Sequence, residues 1–165
     1  MSTSFAYLIR TESPIGRLEL TSDGDNITSL SIARDGHLPL ETHPERTTAV
    51  LDEAVRQLSD YFAGERKDFD LPLRLEGTEF QRSVWAALSH LEFGQFTSYG
   101  ELGAEIGKPG SARAIGGAVG ANPVPIIVGC HRVLSSTGRI TGYSGGDGIP
   151  TKSWLLTHEG IMLAA

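Results

Sequence analysis

The chain has 165 residues, with 14 lysines and arginines against 20 aspartates and glutamates, a formal charge of -6 and 39% hydrophobic residues. This length and apolar content exclude a disordered or collagen-like chain and predict one domain or two small ones with packed cores. The single cysteine, Cys130, excludes an internal disulfide bond and a cysteine-rich zinc site.

The first residues lack the basic-then-apolar layout of a signal peptide, and no apolar run approaches the roughly 20 residues of a membrane span. We therefore expect a cytoplasmic protein with no membrane partner and no bound metal. The acidic total argues against nucleic acid as a partner, because binding to phosphates is driven by lysine and arginine.

The first part of the chain alternates apolar and polar residues in short runs separated by turn residues. This period-two pattern predicts an antiparallel meander of three strands. The strands are expected within Phe5–Arg10, Arg17–Ser22 and Ile27–Ile32. From Thr47 the apolar residues recur at helical spacing as far as Gly64, which is placed to end a helix. Phe69–Leu73 has the composition of an additional edge strand.

The second half is predicted to be helical. Thr78 is followed three residues later by Gln81, the capping-box sequence that opens a helix. A last helix is predicted from Pro150, a favourable first-turn residue, to Gly160.

Between these helices the sequence predicts two more helices joined by a short turn. Ser98 opens the first with a second capping-box sequence, the helix stops at Gly107, and Ser111 starts the next. This is the layout of a helix-turn-helix, although an ordinary αα-hairpin in a core has the same pattern. The second helix contains three glycines, which lower helix stability by roughly 2–3 kcal/mol relative to alanine. Close approach of another backbone is the usual reason for such glycines.

The charges are unevenly distributed along the chain. From Thr78 onward six basic and six acidic side chains balance, so the whole net charge belongs to the first half. Between Ile106 and Ser144 there are four basic residues and no acidic one. The electrostatic objection to a nucleic-acid partner therefore does not apply to the region of the two short helices.

Cys130 follows an apolar run, an arrangement typical of a buried strand that delivers a side chain to its end. His131 and Arg132 beside it favour the thiolate, which is the form that attacks electrophiles. Because neighbours in an extended segment point to opposite faces, we expect His131 to act as a base through a bridging water. Glu159 is the candidate carboxylate that orients His131. The alternatives are a buried spectator cysteine and a solvated helix-end acid.

Several motifs occur in the order in which a known family carries them: Thr78–Leu88, Thr97–Leu102, Ala112–Ala118, Asn122–Val128, Cys130–Val133 and Gly142–Gly146. They resemble the O6-alkylguanine-DNA alkyltransferases, also called methylated-DNA–protein-cysteine methyltransferases. The resemblance spans residues 78–160 and is only loose in the first half. It implies an α+β protein in which a small ribonuclease-H-like domain, residues 1–77, is packed on an all-α winged-helix-like domain, residues 78–165, that contains a helix-turn-helix.

The resemblance also implies an activity. The family flips an alkylated guanine out of double-stranded DNA through the minor groove and transfers the O6 alkyl group irreversibly to its cysteine, here Cys130. O4-alkylthymine is expected as a second substrate. A thiolate leaves carbon with difficulty, so the protein is expected to act once. The resemblance also implies a monomer that needs no cofactor.

By motif position the resemblance assigns catalytic roles to five residues. Cys130 is the nucleophile, His131 the base acting through a water, and Glu159 the group that orients His131. Asn122 braces the turn that holds Cys130. Tyr99 donates to guanine N3 and helps to turn the phosphate during flipping.

DNA-binding and pocket residues follow from the same motifs. Arg113 is expected to replace the flipped base in the stack, and the small residues of its helix to fit the minor groove. The expected DNA-contacting residues are Ser98, Tyr99, Ala112, Arg113, Ala114, Gly116 and Gly117. The expected pocket residues are Pro125, Val133, Tyr143, Ser144 and Lys152.

Specific contacts are also implied within this pocket. The carbonyls of Cys130 and Val133 accept from the guanine amine, and the backbone N–H of Ser144 meets O6. Tyr143 forms a wall of the pocket, and Lys152 lies near its rim.

The sequence departs from the family at two places. Gly129 stands where the family has proline before the cysteine, and this predicts a turn that is looser or differently shaped. The loop Gly145–Pro150 is a residue or two longer than expected. Two other functions therefore stay open: a sensor that binds the lesion without efficient transfer, and a cysteine hydrolase or thiol sensor.

Overall fold

The computed structural model describes residues 5–163. They divide into two compact units, one ending at Glu76 and the other beginning at Gly77, one residue before the predicted boundary. No helix in the described range is long and apolar enough to cross a membrane.

The first unit consists of a three-stranded antiparallel sheet in the order β1-β2-β3 and one long helix that packs against it. Its elements are β1 (Tyr7–Thr11), β2 (Leu18–Ser22), β3 (Ile27–Ile32) and α1 (Ala49–Phe62). The predicted meander and helix are confirmed. Gly64 follows the helix with φ +79°, the left-handed conformation that favours glycine at a helix end.

The central strand β2 is buried along its whole length. Its register pairs Leu18 with Ile32 and Leu20 with Leu30, which aligns these apolar side chains on one face of the sheet. On the opposite face Glu19 is buried, and its carboxylate binds the Arg10 guanidinium at 2.9 Å. The alternation therefore encodes a sheet whose central strand is covered on both sides.

The predicted edge strand at Phe69–Leu73 is wrong beyond one isolated bridge between Ile27 and Leu73. Pro72 has no N–H to donate, so this segment pairs with Ile27 only through the Pro72 carbonyl and the Arg74 N–H. The buried Gln57 side chain holds the segment instead, because its amide exchanges two hydrogen bonds with the backbone of Asp70, at 2.9 and 3.0 Å.

Helices dominate the second unit. Its elements are α2 (Glu79–Leu88), β4 (Thr97–Ser98), α3 (Tyr99–Glu105), α4 (Ala112–Gly120), a 3₁₀ turn (Cys130–Arg132), β5 (Val133–Leu134) and α5 (Ile149–His158). Helices α2, α3 and α4 pack against one another, and the Trp85 indole N–H donates to the Ala118 carbonyl at 2.8 Å. The short strands β4 and β5 pair in parallel, which places Tyr99 immediately beside the segment that follows Cys130.

The two predicted capping boxes have different outcomes. The Thr78 box is complete, with reciprocal bonds between Thr78 and Gln81. The Ser98 hydroxyl accepts from the Glu101 N–H, but it also donates to the Glu101 carboxylate, so the reciprocal bond of the box is absent. Ser98 belongs to the β4–β5 pair, and this pairing gives its backbone a different partner.

Candidate active site

The run before Cys130 is a tight turn, and the prediction of a strand is wrong. The Val128 N–H donates to the Val124 carbonyl, and Ile126 has φ +74°, a strained conformation for a β-branched residue. The Asn122 side chain closes the turn, donating to the Val128 carbonyl at 2.8 Å and accepting from the Val124 N–H at 3.0 Å. The Asn122 amide thus supplies hydrogen bonds that a neighbouring strand would supply if this apolar run were a strand.

Gly129 completes the turn with φ -75° and ψ 63°, and the Cys130 N–H donates to the Val128 carbonyl at 2.8 Å. These values describe an inverse γ-turn, a conformation open to most residues and close to the φ of proline. The backbone thus adopts the φ that a proline would impose and gives no sign of a differently shaped turn, whereas the loosening stays a prediction.

Cys130 lies on the wall of a pocket of about 210 Å³ within the second unit. Its lining residues are Tyr99, Gly116, Val119, Gly120, Cys130, Thr141, Gly142, Tyr143, Ser144 and Lys152. The Cys130 thiol is buried and donates to the Tyr143 hydroxyl at 3.7 Å. The pocket thus brings together helix α4, the segment that carries Cys130 and the loop before α5.

Burial raises the pKa of Cys130 above its ordinary value, against the opposing effects of Asn122, Tyr143 and Lys152. His131 and Arg132 were expected to favour the thiolate over the thiol, and neither is among the groups that lower the pKa of Cys130. Arg132 is paired elsewhere, and burial lowers the pKa of His131, so neither neighbour offers the thiol a free positive charge. Deprotonation of the Cys130 thiol therefore needs a base.

His131 is fully buried, and its Nε2 lies 2.8 Å from an oxygen of Glu159. Glu159 accepts from His131, twice from the Arg132 guanidinium at 2.8 and 2.9 Å, and from the Gly94 N–H at 3.1 Å. Burial alone would raise its pKa, but the bonds from His131 and Arg132 hold the pKa well below the ordinary range. The group is therefore a carboxylate in the folded protein.

The charge of Glu159 determines the tautomer of His131. A carboxylate only accepts hydrogen bonds, so Nε2 carries the proton and Nδ1 of the neutral ring is the proton acceptor. Within the described residues, no protein group forms a hydrogen bond with Nδ1. The residue that follows Cys130 therefore has one nitrogen, Nδ1, that can accept a proton.

Lys152 is buried rather than at the rim of the pocket, with 1% of its surface exposed. Its ammonium donates to the carbonyls of Val133 at 2.6 Å and Gly142 at 3.0 Å. Gly142 lines the pocket, whereas Val133, an expected pocket residue, is not part of its lining. Burial lowers the pKa of Lys152 to about 8. The Val133 carbonyl that was expected to accept from guanine therefore already accepts a bond from Lys152.

Two other residues are not where they were expected, one of them in the pocket and the other on the DNA-contacting surface. Pro125 is buried in the turn closed by Asn122, where its backbone bridges to Val128. It is not among the residues that line the pocket. Ser98 is buried, and its hydroxyl is committed to the cap of α3, so it is poorly placed to contact DNA. The Ser144 hydroxyl donates to the Gly120 carbonyl at 2.8 Å, which joins the pocket loop to α4.

Sequence reasoning missed several residues of the site. Val119, Gly120, Thr141 and Gly142 line the pocket. Gly142 belongs to a matched motif and the other three flank such motifs, so all four could have been included. The bonds from Arg132 and Gly94 to Glu159 had no such signal.

Helix α4 carries exposed small residues and one exposed arginine: Ala112, Arg113, Ala114 and Gly117. Among residues 5–163, no backbone approaches its glycines closely: an added Cβ would lie 3.8 Å from Tyr99 at Gly116, 3.9 Å from Ser144 at Gly120, and within 4 Å of nothing at Gly117. The tight approach is at Gly103 on α3 instead, where a Cβ would lie 3.0 Å from the Lys108 carbonyl. The glycines of α4 therefore leave an open surface.

The basic stretch is smaller than its composition suggests. Arg132 is buried against Glu159, so three of the four bases, Lys108, Arg113 and Arg139, remain exposed.

The chain matches two family models over nearly its whole length. Residues 6–75 match the 6-O-methylguanine DNA methyltransferase ribonuclease-like domain, and residues 79–161 match the DNA binding domain of the same family. A methylated-DNA--protein-cysteine methyltransferase of Mycobacterium tuberculosis is 47% identical over 135 residues, 82% of each chain. The constitutive one of Bacillus subtilis is 39% identical over 159 residues, 94% of this chain and 96% of that protein.

Solved structures agree with the sequence comparisons. The O6-methylguanine methyltransferase of Mycobacterium tuberculosis is 43% identical with a TM-score of 0.83 and covers 96% of both chains. The OGT of that organism in complex with DNA is 44% identical with a TM-score of 0.84, over 93% of this chain and 92% of that one. The chain therefore belongs to the 6-O-methylguanine DNA methyltransferase family, with a ribonuclease-like domain followed by a helical DNA-binding domain.

Proposed function

We propose that the protein repairs DNA by moving the alkyl group of O6-alkylguanine directly and irreversibly onto Cys130. The observation that carries this proposal is the placement of the chain's only cysteine in a pocket, next to the buried His131–Glu159 pair. Family membership supplies the substrate class. O4-alkylthymine, a monomeric state and action in the cytoplasm stay predictions.

The reaction begins with loss of the thiol proton. A water between Cys130 Sγ and His131 Nδ1 passes one proton to that nitrogen as it accepts the proton of the thiol. Glu159 holds the opposite nitrogen and stabilises the imidazolium that forms. The ammonium of Lys152 favours the thiolate by its charge.

The thiolate then attacks the alkyl carbon in line with the O6 bond. An S–C bond forms while the C–O6 bond breaks, and its electron pair goes to the guanine, which takes up one proton. The Ser144 N–H at O6 and the Tyr99 hydroxyl at N3 offset the charge that develops on the departing base. Cys130 remains as a thioether, so each molecule reacts once.

A flipped base is required, because the Cys130 thiol is buried and a stacked guanine could not reach it. Helices α3 and α4, with the turn between them, act as the helix-turn-helix of a winged-helix-like domain. The exposed small residues of α4 suit the minor groove, about 6 Å wide, and Arg113 fills the gap left by the base. Contacts to backbone and groove shape suit a lesion that arises in any sequence.

The glycines of α4 give a test of this docking. Gly117→Ala is expected to raise the free energy of unfolding by about 0.5–1 kcal/mol, because alanine favours a helix and the added Cβ meets nothing. The same methyl is expected to weaken duplex binding about tenfold by colliding with the groove. Thermal unfolding and fluorescence anisotropy with a lesion duplex measure the two effects.

Gly103→Ala is the matched control for this test. Its Cβ meets the Lys108 carbonyl, so the expected result is a loss of about 1–3 kcal/mol of stability. A Gly117→Ala protein that is stabilised and binds the duplex as tightly as the wild type would contradict groove docking by α4.

The proposed transfer is tested by mixing the protein with duplex DNA carrying O6-methylguanine and measuring the mass of the intact protein and of its peptides. We expect one methyl group, located on Cys130 and absent in Cys130→Ala. Tight lesion binding with no change of mass would favour the sensor instead, and repeated turnover without a stable adduct would favour the hydrolase.

A further inference from the structure

Arg132 makes a set of contacts that the reaction scheme does not use. Its Nε and Nη2 bind both oxygens of Glu159, and its Nη1 donates to the Leu91 carbonyl at 2.9 Å. Arg132 is 6% exposed and Glu159 is 5% exposed, so this ion pair is desolvated. Such a pair has a strict geometry, since two parallel bonds fix the carboxylate plane.

The same carboxylate grips His131. Arg132 and His131 therefore share the negative charge of the Glu159 carboxylate, and the hydrogen bonds from both side chains fix its position. The loop between α2 and β4 adds two anchors, the Leu91 carbonyl on Arg132 and the Gly94 N–H on Glu159.

We propose that Arg132 is a positioning residue of alkyl transfer: by holding both oxygens of Glu159, it keeps His131 oriented and uncharged, with Nδ1 available to accept a proton. This inference rests on the proposed function.

The protonation of His131 depends on whether a fixed positive charge lies beside its partner Glu159. Alone, Glu159 would favour an imidazolium, and an imidazolium cannot accept the thiol proton. The charged groups that act on His131 are Glu159 at the end of α5, Lys152 on α5 and Arg132 beside it, and the titratable Cys130 thiol is its neighbour in sequence. Burial lowers the pKa of His131, Glu159 opposes this effect, and Arg132 and Lys152 lower the pKa further.

Gly129 connects this role to the departure from the family's proline. A Cβ at this position would lie 2.9 Å from Nη1 of Arg132, 3.0 Å from Cδ and 3.1 Å from Cζ. The Arg132 side chain therefore lies across the glycine, in the space that a larger residue would need. A Cβ at this position would therefore press on the Arg132 guanidinium and shift it.

The test compares Arg132→Met, which removes the charge, with Gly129→Ala, which displaces the guanidinium and keeps every charge. Folding is verified by circular dichroism, and Arg82→Met, an exposed arginine of the same unit, is the control. The readouts are the acidic limb of the methyl-transfer rate against pH and the NMR titration of the His131 ring.

In Arg132→Met, we expect the acidic limb and the His131 titration to move up by about one pH unit or more. Gly129→Ala should move them in the same direction by less, and have no further effect in the Arg132→Met background. The control should match the wild type. If Arg132→Met does not fold, Gly129→Ala alone decides.

An unshifted limb and an unshifted titration in either folded variant would overturn the role of Arg132. Absence of methyl transfer by the wild type would instead overturn the proposed function, and the His131 titration would still decide the inference.

Discussion

Replacing Glu159 with glutamine is expected to slow methyl transfer about a hundredfold or more, because His131 loses the carboxylate that orients it as the general base. The carboxylate accepts four hydrogen bonds, from His131, Arg132 and Gly94. A glutamine offers one oxygen, and its NH₂ group would face donors. Because Arg132 would be left as a buried charge without its partner, the free energy of unfolding should fall by about 3 kcal/mol.

The stability effect of Glu159→Gln has a defined pH dependence. Although burial opposes it, the bonds from His131 and Arg132 depress the pKa of Glu159 below its ordinary 4.5. A depressed carboxyl pKa stabilises the fold above the unfolded-state value, and this stabilisation disappears as pH falls through the folded-state value. Urea unfolding should therefore show a difference between wild type and variant that is constant near neutrality and shrinks below about pH 4.5.

Glu92→Gln, at an exposed glutamate of the same unit, is the control and should change neither rate nor stability. A folded Glu159→Gln protein that transfers methyl groups at the wild-type rate would contradict the assignment of His131 as base.

Arg113→Ala is expected to slow transfer from duplex DNA about 10- to 100-fold. The exposed guanidinium on α4 would fill the stack after the base leaves, and stacking of this kind contributes about 1–3 kcal/mol. Without it the flipped state loses that stabilisation, whereas the chemistry in the pocket is unchanged. Single-turnover rates on a duplex carrying O6-methylguanine measure the effect.

The same variant supplies its own control when it is given O6-methylguanine as the free base, which needs no flipping. We expect the free-base rate to equal that of the wild type. An equal loss on both substrates would assign Arg113 to the pocket or to the fold, and no loss on the duplex would remove it as the intercalating residue.

Local patterns predicted most of the secondary structure, for reasons that lie within a few residues. The alternation in β2 and the reciprocal bonds between Thr78 and Gln81 depend only on neighbours in sequence. Where the prediction failed, a distant or unusual partner replaced the local one. The Asn122 amide bonds the backbone of the run before Cys130, which forms a turn instead of a strand. The Gln57 amide bonds the backbone at Asp70, where an edge strand was predicted.

The chemistry of the candidate site was predictable in outline and not in its electrostatics. Cys130, His131 and Glu159 could be proposed from residue type, and the structure brings the last two within 2.8 Å. Adjacency in sequence suggested that Arg132 acts on the thiol, but a 3₁₀ turn directs its guanidinium to Glu159 instead. Lys152 was placed near the rim by its motif position. Burying an ammonium is unfavourable, and only two carbonyls far apart in sequence explain its burial.

The central claim is a single, permanent transfer to Cys130, and the most direct measurement is the number of methyl groups removed per protein molecule. Duplex carrying labelled O6-methylguanine is supplied in large excess and the reaction is followed to its plateau. We predict one methyl group per protein, all of it covalently bound to Cys130. Continued removal beyond one equivalent, or a plateau at zero with the lesion bound, would contradict the claim.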